Sequence, residues 1–423
     1  MKNFFLLQFK IFYETIQIII LKVDLRKRTI VTLLIFLFLY LVAYYRTYGI
    51  CFCRCSGFFW QYNSKINISK FIDFVPADYT FIQLQYNSPI NQQEDFFKYY
   101  KNPKYTLAWN QEARQLNQTY IEAYQVYVNG IGGFSIENNF YTMRYFPCWK
   151  NVERLRNFTG NVVSHYPHVI VLGYNECIRK FGHLVEDFFQ PFVLLPQEVI
   201  STAHVLCAGF QPVFDEFLDI FSIPQERRIK IKKSDWIACD KIYTYINPLI
   251  YLNFYGIATK QLKILFHETY KLDNITATRY YLGNRGYYKP RYVHNFDEVC
   301  NSVRLRFPNI KWEILTDDCY SLSDAAKAWS SVKFLFAPTG SNIVKCIFMK
   351  DKTFIICIGT HMPDYSIAMF TTACNIYSIH YFGLRCMHLS GNGTSINAEL
   401  AVKMINYGID FLQTHKWPQN SGL

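Results

Sequence analysis

Several signatures of common functional classes are missing from this chain of 423 residues. It has no CxxC pair, which argues against zinc-ribbon and thioredoxin-like sites. It has no DxD triplet, so it lacks the paired carboxylates with which many enzymes hold a divalent metal against a diphosphate. The formal net charge is +12, yet no block of lysine and arginine resembles a nucleic-acid-binding patch. The basic charge therefore fits either a solvated surface or a moderately basic cleft for an anionic ligand such as a nucleotide phosphate.

The composition is that of a folded globular protein. Hydrophobic residues make up 51% of the chain, aromatic residues 18% and charged residues 18%, which excludes a disordered or collagen-like protein. A single hydrophobic core usually stops growing at about 250–300 residues. The length therefore predicts two lobes rather than one.

One apolar segment is long enough to span a membrane. Residues 29–45 (TIVTLLIFLFLYLVAYY) carry no charge, and further apolar residues up to residue 50 bring a helix to bilayer thickness. Basic side chains crowd its N-terminal side, namely Lys22, Arg26, Lys27 and Arg28. The positive-inside rule then predicts a cytosolic tail over residues 1–28 and a transmembrane anchor over residues 29–50. A cleaved signal peptide fits poorly, because no small-x-small cleavage site follows.

Sequons and cysteines lie on one side of this anchor. All thirteen cysteines follow it, as do five N-x-S/T sequons, which we predict to be glycosylated at Asn67, Asn117, Asn157, Asn274 and Asn392. In an oxidising lumen several disulfides are expected, and the alternative is a set of buried free thiols. Together these features predict a single-pass type II protein of the Golgi or endoplasmic reticulum membrane, with its large domain in the lumen.

The rest of the chain divides by its periodicity. Residues 51–105 are polar, rich in Asn and Gln and without a clear period, which predicts a stem. From about residue 277 onward, strand and helix patterns alternate at the spacing typical of a parallel sheet flanked by helices. The sequence therefore predicts an N-terminal lobe over residues 106–265, a C-terminal lobe over residues 266–395 and, over residues 396–423, a helix that packs back on the first lobe.

The first candidate site is the loop 338–342 (PTGSN), which joins a buried strand to a short helix. In open parallel sheets, ligands bind in the crevice at the carboxyl ends of the strands. Gly340 permits close approach of a phosphate, backbone N–H groups at a helix start favour anions, and Thr339 and Ser341 add hydroxyl donors. Asn342 completes the loop. The alternative is a plain connection between a strand and a helix.

The second candidate is the segment 181–187 (FGHLVED), which opens a predicted helix. His183 and Asp187 are four residues apart and share a helix face, and Glu186 falls close by. A carboxylate beside an imidazole is the usual arrangement of a general base, such as one that would deprotonate a sugar hydroxyl. The alternative is a helix N-terminus that carries stabilising acids and a structural histidine.

The third candidate is a basic set, Arg285, Lys289 and Arg291, which follows the predicted strand 279–285. Arginines at the carboxyl end of a strand next to a phosphate loop could neutralise a diphosphate leaving group. The alternative is ordinary loop charge.

In the order and spacing of three segments, this chain resembles the family 61 glycosyltransferases. The segment 181–196 (FGHLVEDFFQPFVLLP) resembles the family's helix with a histidine and a trailing acid. The segment 280–299 (YYLGNRGYYKPRYVHNFDEV) resembles its strand, arginine, basic pair and Asn-acid-acid signature. The segment 331–359 resembles the strand, loop, helix and strand that follow. Where family members usually carry His-Gly-Ala-Gly in the loop, this chain has Thr339-Gly340-Ser341-Asn342.

The resemblance implies an α/β fold of the GT-B type, in which two Rossmann-like lobes flank a cleft. The C-terminal lobe would hold a nucleotide-sugar and the N-terminal lobe the acceptor. It implies an inverting enzyme that transfers GlcNAc or a pentose such as xylose to a hydroxyl of a glycoprotein or polysaccharide. No metal cofactor and no nucleic-acid partner are expected. The alternative is a catalytically inactive, membrane-anchored glycan-binding or scaffold protein on the same fold.

Overall fold

The long apolar runs of the sequence form the strands of two sheets in a computed structural model of the chain. The residues that the structure describes are 60–62, 67–69, 79–84, 97–99, 118–136, 139–142, 159–172, 181–207, 212–246, 257–286, 291–315, 321–359, 365–381, 393 and 395–417. All of them belong to one unit of the chain, which comprises Cys55–Tyr145 and Arg156–Leu423.

The described strands are numbered in chain order. They are β1 (Trp60–Tyr62), β2 (Asn67–Ser69), β3 (Tyr79–Leu84), β4 (Phe97–Tyr99), β5 (Gln118–Asn129), β6 (Phe134–Ile136), β7 (Asn139–Thr142), β8 (Thr159–Ile170), β9 (His204–Leu206), β10 (Arg228–Ile229), β11 (Trp236–Ile246), β12 (Arg279–Gly283), β13 (Trp312–Leu315), β14 (Val332–Pro338), β15 (Phe354–Ile358) and β16 (Tyr377–Tyr381).

The helices are numbered in the same way. Helix α1 is continuous over residues 181–193, with α-helical Phe181–His183 and Gln190–Val193 on either side of π-helical Leu184–Phe189. The other α-helices are α2 (Gln197–Thr202), α3 (Pro212–Ile220), α4 (Ile257–Thr269), α5 (Phe296–Arg306), α6 (Leu322–Ser330), α7 (Tyr365–Ala373) and α8 (Ala398–Thr414). Short 3-10 helices cover Gln225–Arg227, Leu272–Asn274 and Ile343–Phe348.

The first sheet is mixed. Its strands run in the order β1-β7-β6-β5-β11-β8-β9-β10, with β2 paired to β8 and β3 paired to β5. The long central strand β11 is antiparallel to β5 and parallel to β8. Antiparallel pairs therefore occupy one side of this sheet, and parallel pairs occupy the other.

The second sheet is parallel throughout, in the order β13-β12-β14-β15-β16-β4. Strand β15 is buried along its whole length, and β14 is buried except at Lys333. Strands covered on both faces are expected to be apolar without alternation, as the run FIICI of β15 is. The predicted α/β class with a helix-flanked parallel sheet is confirmed for this part of the chain.

Helix α1 lies in the core that both sheets share. Buried residues of α1, of the first sheet and of one face of the second sheet form a single apolar cluster. Aromatic contacts connect α1 to the 3-10 helix Ile343–Phe348, because the ring of Phe181 lies 6.1 Å from that of Phe348. A second cluster covers the other face of the second sheet, between that sheet and helices α5 and α8.

Helix α8 differs from its prediction. Met404, Ile405 and Phe411 pack against the second sheet and α5, so among the described residues the main contacts of the helix are with the C-terminal half and not with the first lobe. The apolar face of α8 is buried there, in the same cluster as residues of α5 and of the second sheet. At Gly408 the rings of Phe334 and Phe354 approach so closely that a β-carbon would lie 2.7 Å from each.

The segment predicted as a stem contains structure as well. Strands β1, β2 and β3 join the first sheet, and β4 joins the edge of the second sheet beside β16. Three of these four strands are only three residues long. Such short strands carry too few residues to reveal a two-residue period in the sequence.

The membrane anchor and the disulfides are two further predictions to compare with the structure. None of the helices among the described residues is long and apolar enough to cross a membrane, and the predicted anchor at 29–50 lies outside those residues. Six cysteines are described, and all six are buried free thiols rather than disulfides: Cys207, Cys239, Cys300, Cys346, Cys357 and Cys374. Burial raises the pKa of Cys207 to about 12 and that of Cys300 to about 11, so these thiols resist ionisation.

Candidate functional site

The candidate site lies where the connectivity of the second sheet changes direction. The chain passes from β12 to β13 on one side and then returns to β14 on the other side of β12. Such a switch point opens a crevice at the carboxyl ends of the two strands. Here β12 leads into Asn284 and Arg285, and β14 leads into Thr339 and Gly340.

Two arginines converge on Gly340. The guanidinium of Arg285 donates from Nη1 to the carbonyl oxygen of Thr339 at 3.1 Å. A β-carbon on Gly340 would lie 2.1 Å from Nη1 of Arg285 and 3.3 Å from Nη2 of Arg291, and the φ of Gly340 is +145°. Glycine is therefore required at this position both for its backbone angle and for the space that the arginines occupy. The result is a loop with two fixed positive charges, which suits a diphosphate.

Asn284 connects the two backbone segments that carry the arginines. Its amide nitrogen donates to the carbonyl oxygen of Val293 at 2.9 Å, and its side-chain oxygen accepts from the backbone N–H of Val293 at 2.9 Å. The same oxygen accepts from the backbone N–H of Arg285 at 2.8 Å. The side chain of Asn284 thus connects the backbone at Arg285 with the backbone at Val293, two residues after Arg291.

His183 and Asp187 form a hydrogen-bonded pair on α1. Nδ1 of His183 lies 2.9 Å from Oδ2 of Asp187, and the two side chains are 31% and 10% exposed. The hydroxyl of Tyr245, on β11, donates to the backbone carbonyl of Asp187 at 2.9 Å. With the carboxylate on Nδ1, the other ring nitrogen, Nε2, can accept a proton from a substrate hydroxyl. The pair lies in or beside the π-helical turn, a feature that is frequent at functional sites.

The amino end of α1 meets the glycine loop. Gly182, the residue before His183, lies directly against Ser341. Phe181 also contacts the 3-10 helix that follows the loop, because Nζ of Lys345 lies 5.9 Å from the centre of its ring. The imidazole–carboxylate pair and the arginine-lined loop therefore belong to neighbouring elements of one site.

Most of the predicted site residues meet here. His183 and Asp187 form the pair, Arg285 and Arg291 converge on Gly340, and Ser341 touches α1. Thr339 is fully buried, and its N–H donates to the carbonyl oxygen of Ile358 at 2.7 Å. Asn342 occupies the residue before the 3-10 helix Ile343–Phe348. Glu186 is on the same helix as His183, but Asp187 makes the hydrogen bond. Lys289 lies outside the described residues.

The predicted glycosylation sites are described only in part. Asn274 is exposed and ends the 3-10 helix Leu272–Asn274. Asn67 begins strand β2. The remaining three, Asn117, Asn157 and Asn392, lie outside the described residues.

The sequence alone did not reveal Asn284, Gly182 or Tyr245 as parts of the site. Asn284 carried a weak signal, since an asparagine directly after a predicted strand often bonds to nearby backbone. Gly182 also carried one, because a glycine inside a helical pattern often marks close packing. Tyr245 gave no such signal, because its role depends on a contact between residues far apart in the chain.

Comparison with known proteins identifies one family. Residues 181–356 match the family model described as Glycosyltransferase 61. The matched segment begins at α1 and ends within β15, so it contains both the imidazole–carboxylate pair and the arginine-lined loop. No curated protein matches the chain.

Proposed function

We propose that the chain, whose residues 181–356 match the model of glycosyltransferase family 61, is a glycosyltransferase of that family and works by a single inverting displacement without a metal ion. The donor is a UDP-sugar that carries GlcNAc or a pentose such as xylose. The acceptor is a hydroxyl group of a glycoprotein or polysaccharide. The observation that carries this proposal is the contact between the helix of His183 and the loop on which Arg285 and Arg291 converge.

His183 is the proposed general base. Its Nε2 accepts the proton of the acceptor hydroxyl while the oxygen attacks the anomeric carbon of the donor sugar. Asp187 keeps the ring oriented through the 2.9 Å bond to Nδ1 and stabilises the imidazolium that forms. Glu186 is the second acid of this helix and a secondary candidate.

Arg285 and Arg291 are the proposed partners of the leaving diphosphate. As the bond between the anomeric carbon and the phosphate oxygen breaks, negative charge builds up on the diphosphate. Two guanidinium groups held beside Gly340 stabilise that charge without having to reorganise. Thr339, Ser341 and Asn342 complete the loop with polar groups, and Lys289, which lies between the two arginines in the sequence, is a further proposed contact.

The same two arginines support a metal-independent reaction. In many transferases a divalent cation held by carboxylates supplies the positive charge at the diphosphate. In this chain two guanidinium groups lie next to the loop, and that of Arg285 is held by the carbonyl oxygen of Thr339.

The proposal is tested by measuring which nucleotide-sugars the purified full-length chain uses as donors in detergent. Incubated with a panel of UDP- and GDP-sugars and a glycan acceptor, it should transfer sugar from a UDP-sugar at the same rate with or without EDTA. His183→Ala should lower kcat by about 100-fold or more, the range of general-base catalysis. Arg285→Ala should weaken the binding of UDP. Binding of glycan with no affinity for any donor would instead identify an inactive glycan-binding protein.

The cellular location is part of the proposal. We infer a single-pass type II protein of the Golgi or endoplasmic reticulum membrane, anchored by residues 29–50 with the catalytic part in the lumen. The basic flank of that segment and the position of the sequons support this orientation.

A further inference from the structure

Gly182 makes an unusually close contact. A β-carbon on this residue would lie 3.0 Å from Cα of Ser341 and 3.2 Å from both its Cβ and its Oγ. These distances are below ordinary van der Waals contact between carbon atoms. Gly182 has no positive φ that would demand glycine. Alanine would also favour the helix more than glycine does. The close approach of the loop is therefore the physical reason why a residue without a side chain fits here.

The elements on both sides of this contact are held firmly. The ring of Phe181 lies 6.0 Å from that of Phe217 on α3 and 6.1 Å from that of Phe348, which follows the loop. Phe217 and Phe348 are fully buried. Because the core fixes both α1 and the 3-10 helix, a side chain at residue 182 would act mainly on the loop residues Gly340 and Ser341.

We propose that Gly182 is a positioning residue that sets the distance between the imidazole of His183 and the diphosphate site at Gly340. This inference rests on the proposed function of His183 and the two arginines. In a single displacement, base, acceptor oxygen, anomeric carbon and leaving group must line up. A shift of a few tenths of an ångström then acts on the reaction more than on the binding of the donor.

The first test is Gly182→Ala in the full-length protein. Since a misplacement of about 1 Å can cost about 100-fold in rate, a shift of a few tenths of an ångström should lower kcat about tenfold. The Kd of UDP should stay within about twofold of the parent value. Adding Ser341→Gly to Gly182→Ala removes the Cβ and Oγ contacts and should recover about threefold of the lost kcat, a coupling expected only for residues in contact.

Gly408→Ala is the matched control. It also places a β-carbon in a tight space, 2.7 Å from the rings of Phe334 and Phe354, but on α8, behind the second sheet. It should lower the Tm and leave the kcat of the folded enzyme unchanged. The proposal is overturned if Gly182→Ala keeps the parent kcat, or if its only effect is a lower Tm like that of Gly408→Ala.

A second readout does not depend on turnover. In protein labelled with ¹³C at histidine Cε1, the signal of His183, assigned by its loss in His183→Ala, should move when UDP is added. It should move less in Gly182→Ala. If UDP moves the signal in this way but no sugar is transferred, the proposed function fails and the positioning role stands. If UDP binds and leaves the signal unchanged, the positioning role fails. If UDP does not bind, both fail.

Discussion

Asp187 and Glu186 illustrate how a single residue position decides a role. Both acids were close enough to His183 in the sequence to serve as its partner, since residues three and four apart share a helix face. The structure gives the hydrogen bond to Asp187, whose side chain is 10% exposed, and Tyr245 fixes the backbone at that residue. The sequence could predict that one of the two acids bonds to His183, but not which one.

His380 is a second residue whose environment leads to a prediction. It lies on β16, is almost fully buried, and its Nε2 lies 2.8 Å from the hydroxyl of Ser378. Burial lowers the pKa of His380 from 6.5 to about 3. The unfolded chain therefore binds a proton below about pH 6.5 that the folded chain refuses, so this residue makes folding less favourable as the pH falls from 6.5 towards 3.

We expect the His380→Gln protein to lose less stability on acidification than the parent. Between pH 7 and pH 5 the difference should be about 2 kcal/mol, as follows from a titration shift of this size. Urea unfolding of both proteins at the two pH values measures it. The carboxylates of Asp273, Glu313 and Asp351, whose pKa values are lowered in the fold, contribute equally to both proteins and cancel. Equal losses would mean that His380 becomes protonated without unfolding.

At the scale of single elements, the second sheet could be predicted well from the sequence. Its central strands are continuous apolar runs, and two of the helices, α6 and α8, begin at residues whose side chains cap them. Ser321 precedes α6, and its hydroxyl oxygen accepts from the backbone N–H of Asp324 at 3.0 Å. Helices α5 and α1 end shortly before Pro308 and Pro196, since proline cannot continue a helix. Local chemistry was sufficient for these elements.

The first sheet and the attachment of α8 could not be predicted in this way. The pairing of β5 with β11 joins residues more than a hundred positions apart, and no local pattern encodes such a partner. The amphipathic pattern of α8 predicted a buried face but not which surface would cover it. The site shares this limit. Its residue types were visible in the sequence, whereas the bond of Tyr245 to the backbone of Asp187 joins residues far apart in the chain.

The hydrogen bonds between Asn284 and Val293, two residues after Arg291, lead to a prediction about the arginine-lined loop. Asn284→Ala removes both bonds to the buried Val293, which should cost about 1–3 kcal/mol because a buried backbone N–H loses its partner. Since Arg291 should then move away from Gly340, the Kd of UDP should rise about tenfold, which corresponds to about 1.4 kcal/mol. Isothermal calorimetry gives the Kd, and thermal unfolding gives the stability.

Asn295→Ala is the matched control for this change. Asn295 makes the same pair of bonds to the backbone of Ile396, at 2.8 and 2.9 Å, and it braces the start of α8 instead of the arginine loop. It should lose comparable stability with a change in the Kd of UDP of less than threefold. Equal loss of UDP affinity in both variants would show that general destabilisation, and not the position of Arg291, is responsible.

At the scale of the whole molecule, one packed core holds both parts of the candidate site. One apolar cluster extends from the first sheet through α1 to the second sheet, so the same packing supports the elements that carry the His183–Asp187 pair and the arginine-lined loop. The six described cysteines lie inside this core or the second cluster as free thiols. Stability in this part of the chain therefore comes from packing, and the predicted disulfides concern the other seven cysteines.

The orientation of the molecule across the membrane can be tested at Asn274. This asparagine and Thr276, the third residue of its sequon, are both exposed, so the glycosylation machinery of the lumen can reach them. In eukaryotic cells, the full-length chain should carry a glycan at Asn274, and Asn274→Gln should lower its apparent mass by one glycan. Asn309→Gln, which changes an exposed asparagine outside any sequon, should leave the mass unchanged.

A tag on the N-terminus should remain open to protease in intact vesicles while the rest of the chain is protected. The proposed orientation is overturned if Asn274 carries no glycan and protease digests the residues after the anchor in intact vesicles, since those residues would then lie in the cytosol.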